Sequence, residues 1–192
     1  MSNVRGSEAS CGDRNEFVEI YNQSDDTLDL SVYRIWDFDD APPDEICPWI
    51  NDSILMKYPA VRINSTLIYP HTYALILDKE YCIPDTTGGN WQPYAIPDST
   101  LIVTTDETTI GNGLENTDPL ILFSTVDPCT TSFGTPNDSL DNFPLDPGDG
   151  ISWERIYLEL PDEVSNWHVC IDTSGCTPGR ENSVCSVFDL AV

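Results

Sequence analysis

From Glu16 to Asn22 apolar and polar positions alternate, with Val18 and Ile20 on one side and Phe17, Glu19 and Tyr21 on the other. A period of two marks a β-strand, because an amphipathic helix repeats its apolar stripe every three to four residues. The turn-forming Gln23-Ser24-Asp25-Asp26 follows, and then Leu28, Leu30 and Val32 alternate with Asp29 and Ser31 before Tyr33-Arg34-Ile35-Trp36. These two runs are expected to pair as a hairpin. Further strands are expected at 65–69, 73–77, 100–104, 120–124, 151–160 and 167–171. Two stretches without periodicity, 37–65 and 84–97, read as long loop insertions, which in a compact domain are functional surfaces or stapled excursions. Eight or nine short strands, fifteen prolines and no helical period anywhere predict an all-β sandwich or barrel.

Residues 1–13 are small, polar and aperiodic and read as a disordered lead or expression remnant. Residues 14–183 form one expected domain, and 184–192 a terminal strand or a linker to a following domain. The 192 residues carry 33 acidic and 8 basic side chains, a net charge of −25. So anionic a chain is repelled by phosphate backbones, whose affinity for proteins rests on Lys and Arg displacing counterions, so no nucleic-acid partner is expected. No apolar run approaches the roughly 18 residues a spanning helix needs, so no membrane insertion is expected. With 40% hydrophobic residues the acidity does not imply disorder. The acid is a solvated surface, a set of divalent-cation ligands, or an adaptation to high salt; composition alone leaves all three open.

The cysteines, Cys11, Cys47, Cys82, Cys129, Cys170, Cys176 and Cys185, lack the C-x-x-C spacing of zinc or thioredoxin-like sites. Scattered through a loop-rich chain, they are expected to form disulfides in an oxidising compartment, with Cys47 stapling the 37–65 excursion. Seven is odd, and Cys11 is the first candidate for the unpaired thiol. The first residues contain no apolar export segment. The expectation is therefore a piece of a longer secreted protein, extracellular or on the cell surface, and monomeric in isolation.

The punctuation of the strands is more specific than their number. Glu16-Phe17-Val18-Glu19-Ile20-Tyr21-Asn22, a polar turn, and Leu28-Asp29-Leu30-Ser31 followed by Tyr33 open the chain. Gly113-Leu114-Glu115-Asn116 precedes a later strand. Gly150-Ile151-Ser152-Trp153-Glu154-Arg155 and Thr177-Pro178-Gly179-Arg180-Glu181-Asn182 close it. In this order the motifs resemble those of lamin tail domains, in particular the bacterial secreted type, over about residues 14–183. The insertions and cysteines depart from that pattern. The resemblance implies an immunoglobulin-like β-sandwich without a catalytic centre, acting in adhesion, targeting or protein interaction beside neighbouring domains of its parent chain. It implies structural roles for Glu19, Asn22, Asn116, Gly150, Ser152, Arg155, Pro178, Gly179 and Asn182. Arg155, with five donors, is expected to tie a carboxylate such as Glu19 or nearby carbonyls.

Two kinds of chemistry remain to be located. Asp37, Asp39, Asp40 and Asp44 crowd carboxylates onto one loop, the ligand type calcium takes, although no twelve-residue EF-hand pattern is present. No cofactor is required, and calcium is the one candidate. Trp36, Trp49, Trp91 and Tyr94 lie in or beside the two insertions and would provide a rigid face for a polysaccharide or protein ligand, the alternative being anchors in the core. The two reading together would be a calcium-dependent carbohydrate- or peptide-binding module. A hydrolase has only His71 and His168 to draw on, and no Gly-x-Ser-x-Gly elbow, so it ranks lowest. Sequons occur at Asn22, Asn51, Asn64 and Asn137.

Overall fold

The computed structural model describes residues 16–37, 42–79, 81, 94–111, 113–114, 119–124, 147–148, 150–160 and 163–185, and the backbone of 136–140. The chain is all-β and sandwich-like. Seven strands form one curled sheet: β1 (Phe17–Tyr21), β3 (Tyr33–Trp36), β4 (Asp44–Pro48), β6 (Tyr73–Leu77), β7 (Leu101–Thr105), β8 (Leu120–Ser124) and β9 (Pro136–Leu140), in the order β1-β6-β7-β4-β3-β8-β9. Two small sheets accompany it, β2 (Leu28–Asp29) with β5 (Leu67–Ile68), and β10 (Trp153–Arg155) with β11 (Trp167–Val169). All pairs are antiparallel except β6 and β7.

Burial on both faces explains why β6 and β7 read as continuous apolar runs, a pattern typical of covered strands. Ala74, Ile76, Leu101 and Val103 face one core, closed by Ile35, Ile46, Ile68, Leu120 and Trp153. Leu75, Leu77 and Ile102 face a second core with Phe17, Trp49, Ile54, Tyr58, Tyr81, Tyr94 and Cys176. The 37–65 stretch is thus not a loop excursion. It contains β4, which lies between β7 and β3, and a 3-10 helix at Asp52–Met56 whose Ile54 is fully buried.

The expected hairpin does not form. β1 pairs with β6, β2 with β5, and β3 with β4 and β8. The apparent single run at 28–36 is divided by a 3-10 turn at Leu30–Val32, where Asp29 accepts from the Ser31 N–H. Asn22 turns the chain away at the end of β1: its buried Nδ2 donates to the carbonyls of Asp26, Ile68 and Tyr69, and its Oδ1 accepts from Ser24. The alternation at 151–160 carries strand structure only at Trp153–Arg155, and Leu158 and Leu160 are exposed in a turn. β6 and β8 have the expected limits.

Candidate functional site

Strand register gathers acid at one end of the sheet. Phe17 opposes Leu77, Ile46 opposes Thr105 and Ile35 opposes Asp44, while β6 and β7 run parallel. The start of β1, the end of β3, the start of β4 and the ends of β6 and β7 therefore share one pole. There lie Glu16, Asp37, Asp44 and Asp78, each at most 4% exposed, with Asp106 and Glu107 on the surface above.

Carboxylates are seldom buried without donors, because the charge loses its hydration. Here the turn after β7 supplies them. Asp44 Oδ2 accepts the Gly111 N–H at 2.7 Å, and Glu16 Oε2 accepts the Leu114 N–H at 3.0 Å. Thr105 and Thr109 donate to the carbonyls of Thr109 and Gly111 and fold the turn on itself. Asp106 Oδ1 accepts from the Glu45 N–H at 2.6 Å, and Lys79 Nζ donates to the Asp106 carbonyl. Burial first, and then the charges of Asp106, Asp37 and Glu107, push the Asp44 carboxyl up to about 6.

Gly111 has φ +61°, and a Cβ there would run into the Asp37 carboxylate. Gly111→Ala is therefore expected to lower stability by about 2 kcal/mol, from left-handed backbone strain and displacement of Asp37. A denaturant midpoint unchanged from wild type would show that the Asp37–Gly111–Asp44 contact is not tight.

Of the four expected metal ligands, Asp37 and Asp44 come together on either side of Gly111, while Asp39 and Asp40 lie outside the described residues. Their oxygen chemistry suits calcium, which takes six to eight oxygen ligands. No group of three or more His, Cys, Asp or Glu is arranged for a metal among the described residues. One Asp44 oxygen is already taken by the Gly111 N–H.

The expected ligand face does not assemble. Trp49 is 3% and Tyr94 2% exposed, both in the second core. Trp49 Nε1 donates to the Asn51 carbonyl, and the Tyr94 ring meets Phe17 edge-on and stacks on Tyr81. Their apolar bodies find more partners beneath the 49–61 segment than at the surface. Trp36 is half-buried at the end of β3, and Trp91 lies outside the described residues.

The resemblance residues sit at structural bonds. Besides Asn22, Glu19 Oε2 accepts the Gly179 N–H at 2.5 Å, Ser152 N–H donates to the Gly175 carbonyl, and Asn182 Nδ2 donates to the Arg155 carbonyl. Gly150 and Gly179 have φ of +72° and +76°, and Pro178 is buried beside the latter. Arg155 Nη2 reaches the Leu160 carbonyl at 2.8 Å, the carbonyl option of the two expected for it. Asn116 lies outside the described residues.

Among the described residues Cys47 and Cys170 carry thiols. β4 is held by sheet bonds to β7 and β3. Cys11, Cys82 and Cys129 lie outside the described residues.

Sequence reasoning missed Glu154. It is 3% exposed and accepts from Thr177 Oγ1 at 2.5 Å, Ser183 N–H at 2.8 Å, Ser183 Oγ at 2.6 Å and Ser152 Oγ at 3.4 Å. Its one signal is a carboxylate between Trp153 and Arg155 in a short strand. Cys170 Sγ lies 3.3 Å from Ser183 Oγ, but burial raises its thiol, the opposite of what a nucleophile needs. His71 pairs with Asp25 at the surface, and His168 Nδ1 lies 2.7 Å from the Val169 carbonyl oxygen. The chain matches no family model, no curated protein and no solved structure.

Proposed function

We propose that this chain is a non-catalytic, extracellular β-sandwich module of the lamin tail type, serving adhesion, targeting or protein interaction within a larger secreted or cell-surface protein. The observation that carries this reading is the use made of its buried and half-buried polar groups. Asn22, Glu19, Ser152, Gly179 and Asn182, the residues on which the resemblance rests, each hold one segment of backbone against another. Glu16, Asp44 and Glu154 do the same for turns and for the C-terminal segment. Groups committed to such bonds brace a rigid presenting scaffold. The test is to assay the purified chain against glycosidic, ester and peptide substrates while measuring retention of a carrier protein fused to it on cell-wall polysaccharide and on intact cells. Retention without turnover is the expected result. Turnover that survives repurification would overturn the reading.

A second reading, calcium-dependent binding, is favoured by the meeting of Asp37 and Asp44 at Gly111. Calcium bound there would offset their repulsion. It would raise the melting temperature by several degrees at pH 7.5 once its concentration is about a hundredfold above Kd. Asp44→Asn is expected to abolish the shift. Equal melting temperatures in calcium and in chelator would exclude this reading.

A further inference from the structure

We propose that residues 177–183 form a pH-sensitive strap, clasped across β1 and β10 by the carboxyl groups of Glu19 and Glu154 and loosened when Glu19 becomes charged. The strap leaves the second core at Cys176, which is 2% exposed, stays buried through Gly179, reaches the surface at Arg180 and Glu181, and returns to the interior at Val184, which is fully buried. Between these anchors its polar atoms turn to two carboxyl groups. Thr177 Oγ1 and both the N–H and Oγ of Ser183 converge on Glu154, and the Gly179 N–H donates to Glu19. Gly179 must be glycine, since a Cβ would lie 2.6 Å from Thr100 Oγ1 with φ at +76°. The backbone is thereby brought close enough to β1 for Glu19 to reach it.

The two carboxyls differ in their donors. Glu154 receives four and Glu19 one, so Glu19 is the carboxyl whose charge is less compensated by donors. Burial pushes the Glu19 carboxyl up to about 8, outweighing the lowering effect of the Gly179 N–H, and the charge of Glu154 adds a smaller push in the same direction. The other groups around the clasp do not compensate a charge on Glu19. Burial first, and then Glu19, Tyr21, Glu181 and Cys185 as like charges, hold Tyr73 on β6 in its neutral form. Arg180 turns to Asp172 at 3.6 Å, Arg155 is directed to the Leu160 carbonyl, and Cys170 lies beneath Ser183 with its thiol raised. No cation among the described residues is bonded to Glu19.

The sign follows from linkage. With the strap released Glu19 is solvated and ionises near its ordinary 4.5; with the strap closed it ionises near 8. Closure is therefore strongest below about pH 4.5, weakens by up to tenfold per pH unit as pH rises towards 8, and levels off above. A strap at the C-terminal edge of the domain would in this way make the exit of the chain more mobile in neutral or alkaline media than in acid.

Hydrogen exchange with correction for intrinsic rates tests this. Protection of the Gly179 and Ser183 amides in the wild-type chain should fall at least tenfold between pH 5 and pH 8.5, while β6 and β7 amides change far less. In Glu19→Gln, which stays neutral, strap protection should be independent of pH over the same range. In case that variant folds poorly, the carbon-13 shift of the Glu19 carboxyl in the wild-type chain should titrate in step with strap protection. A pH-independent wild-type strap, an unchanged profile in Glu19→Gln, or a Glu19 that titrates near 4.5 would each overturn the proposal.

Discussion

Trp49→Ala is expected to destabilise the chain by roughly 3–5 kcal/mol, the range for emptying a buried aromatic site. Trp49 is 3% exposed and packs in the second core with Ile54, Tyr58, Leu75 and Leu77. Its indole N–H ties the Asn51 carbonyl, and that residue's side chain caps the 3-10 helix at Asp52–Met56 through Ser53. Removing the ring therefore leaves a cavity beneath the helix and frees its N-terminus. The 49–61 segment is covalently bracketed by β4 and by Arg62, whose N–H bonds the Thr100 carbonyl, so it cannot collapse freely into the hole. Urea unfolding would read the loss as a fall in midpoint with the slope retained. The alternative role, a solvent-facing contact for a ligand, predicts a change within about 0.5 kcal/mol, as for surface substitutions. Trp49→Phe, which keeps most of the apolar volume and loses the N–H, should fall between wild type and alanine.

Trp49 also shows where the chain's pattern stops being informative. The strand-length apolar pattern located β6 and β8 with their observed limits, and an unbroken run such as Ala74–Leu77 implies two covered faces. It does not reveal which segment covers them. The second core exists because residues 49–61, distant in sequence and without periodicity, fold over the outer side of β6 and β7, and nothing local in Trp49-Ile50-Asn51-Asp52 announces that contact. The same limit governs pairing. β1 finds β6 rather than the adjacent run because Asn22, a single buried amide with three carbonyl partners, redirects the chain. The resemblance marked Asn22 as structural, yet its partners near residues 68 and 69 lie beyond the reach of a hairpin argument.

The acid shows the limit in another form. In a chain with 33 acidic residues, spacing cannot separate those that face water from those that brace the interior. Asp37 and Asp44 stood out through their crowding, and the sheet does bring them to one glycine. Glu16 and Glu154 had no such neighbours to draw notice. Their burial follows from strand register and from where the C-terminal segment returns, both non-local. The 33 acidic residues are thus of two kinds: those at the surface, and a few buried carboxyls that act as acceptors for backbone and hydroxyl donors.

Glu154→Gln tests the second kind. The substitution keeps shape and volume but replaces one acceptor oxygen with an NH2 group. With the NH2 toward Ser183 its N–H faces a donor and is left unsatisfied; with the amide oxygen toward Ser183 the Thr177 and Ser152 hydroxyls must rotate to accept from the NH2, and in either orientation all four bonds lose the carboxylate as their acceptor. A buried donor left unsatisfied costs about 1–3 kcal/mol, and bonds to a charged acceptor are worth about 1.5–3 each. The expected loss is therefore about 3 kcal/mol or more, close to that of Trp49→Ala although no cavity is made. Ser183→Ala and Thr177→Val, which each remove one hydroxyl, should cost about 1 kcal/mol apiece. Combined with Glu154→Gln they should cost clearly less than the sum, because the bonds they delete are already weakened. Full additivity in that cycle would mean that the hydroxyls draw their stability from elsewhere and that Glu154 is not the centre of the clasp. The measurement separates a carboxylate that organises the C-terminal segment from one that is merely enclosed by it. An enclosed carboxylate would be relieved by neutralisation, and Glu154→Gln would then be as stable as wild type or more so.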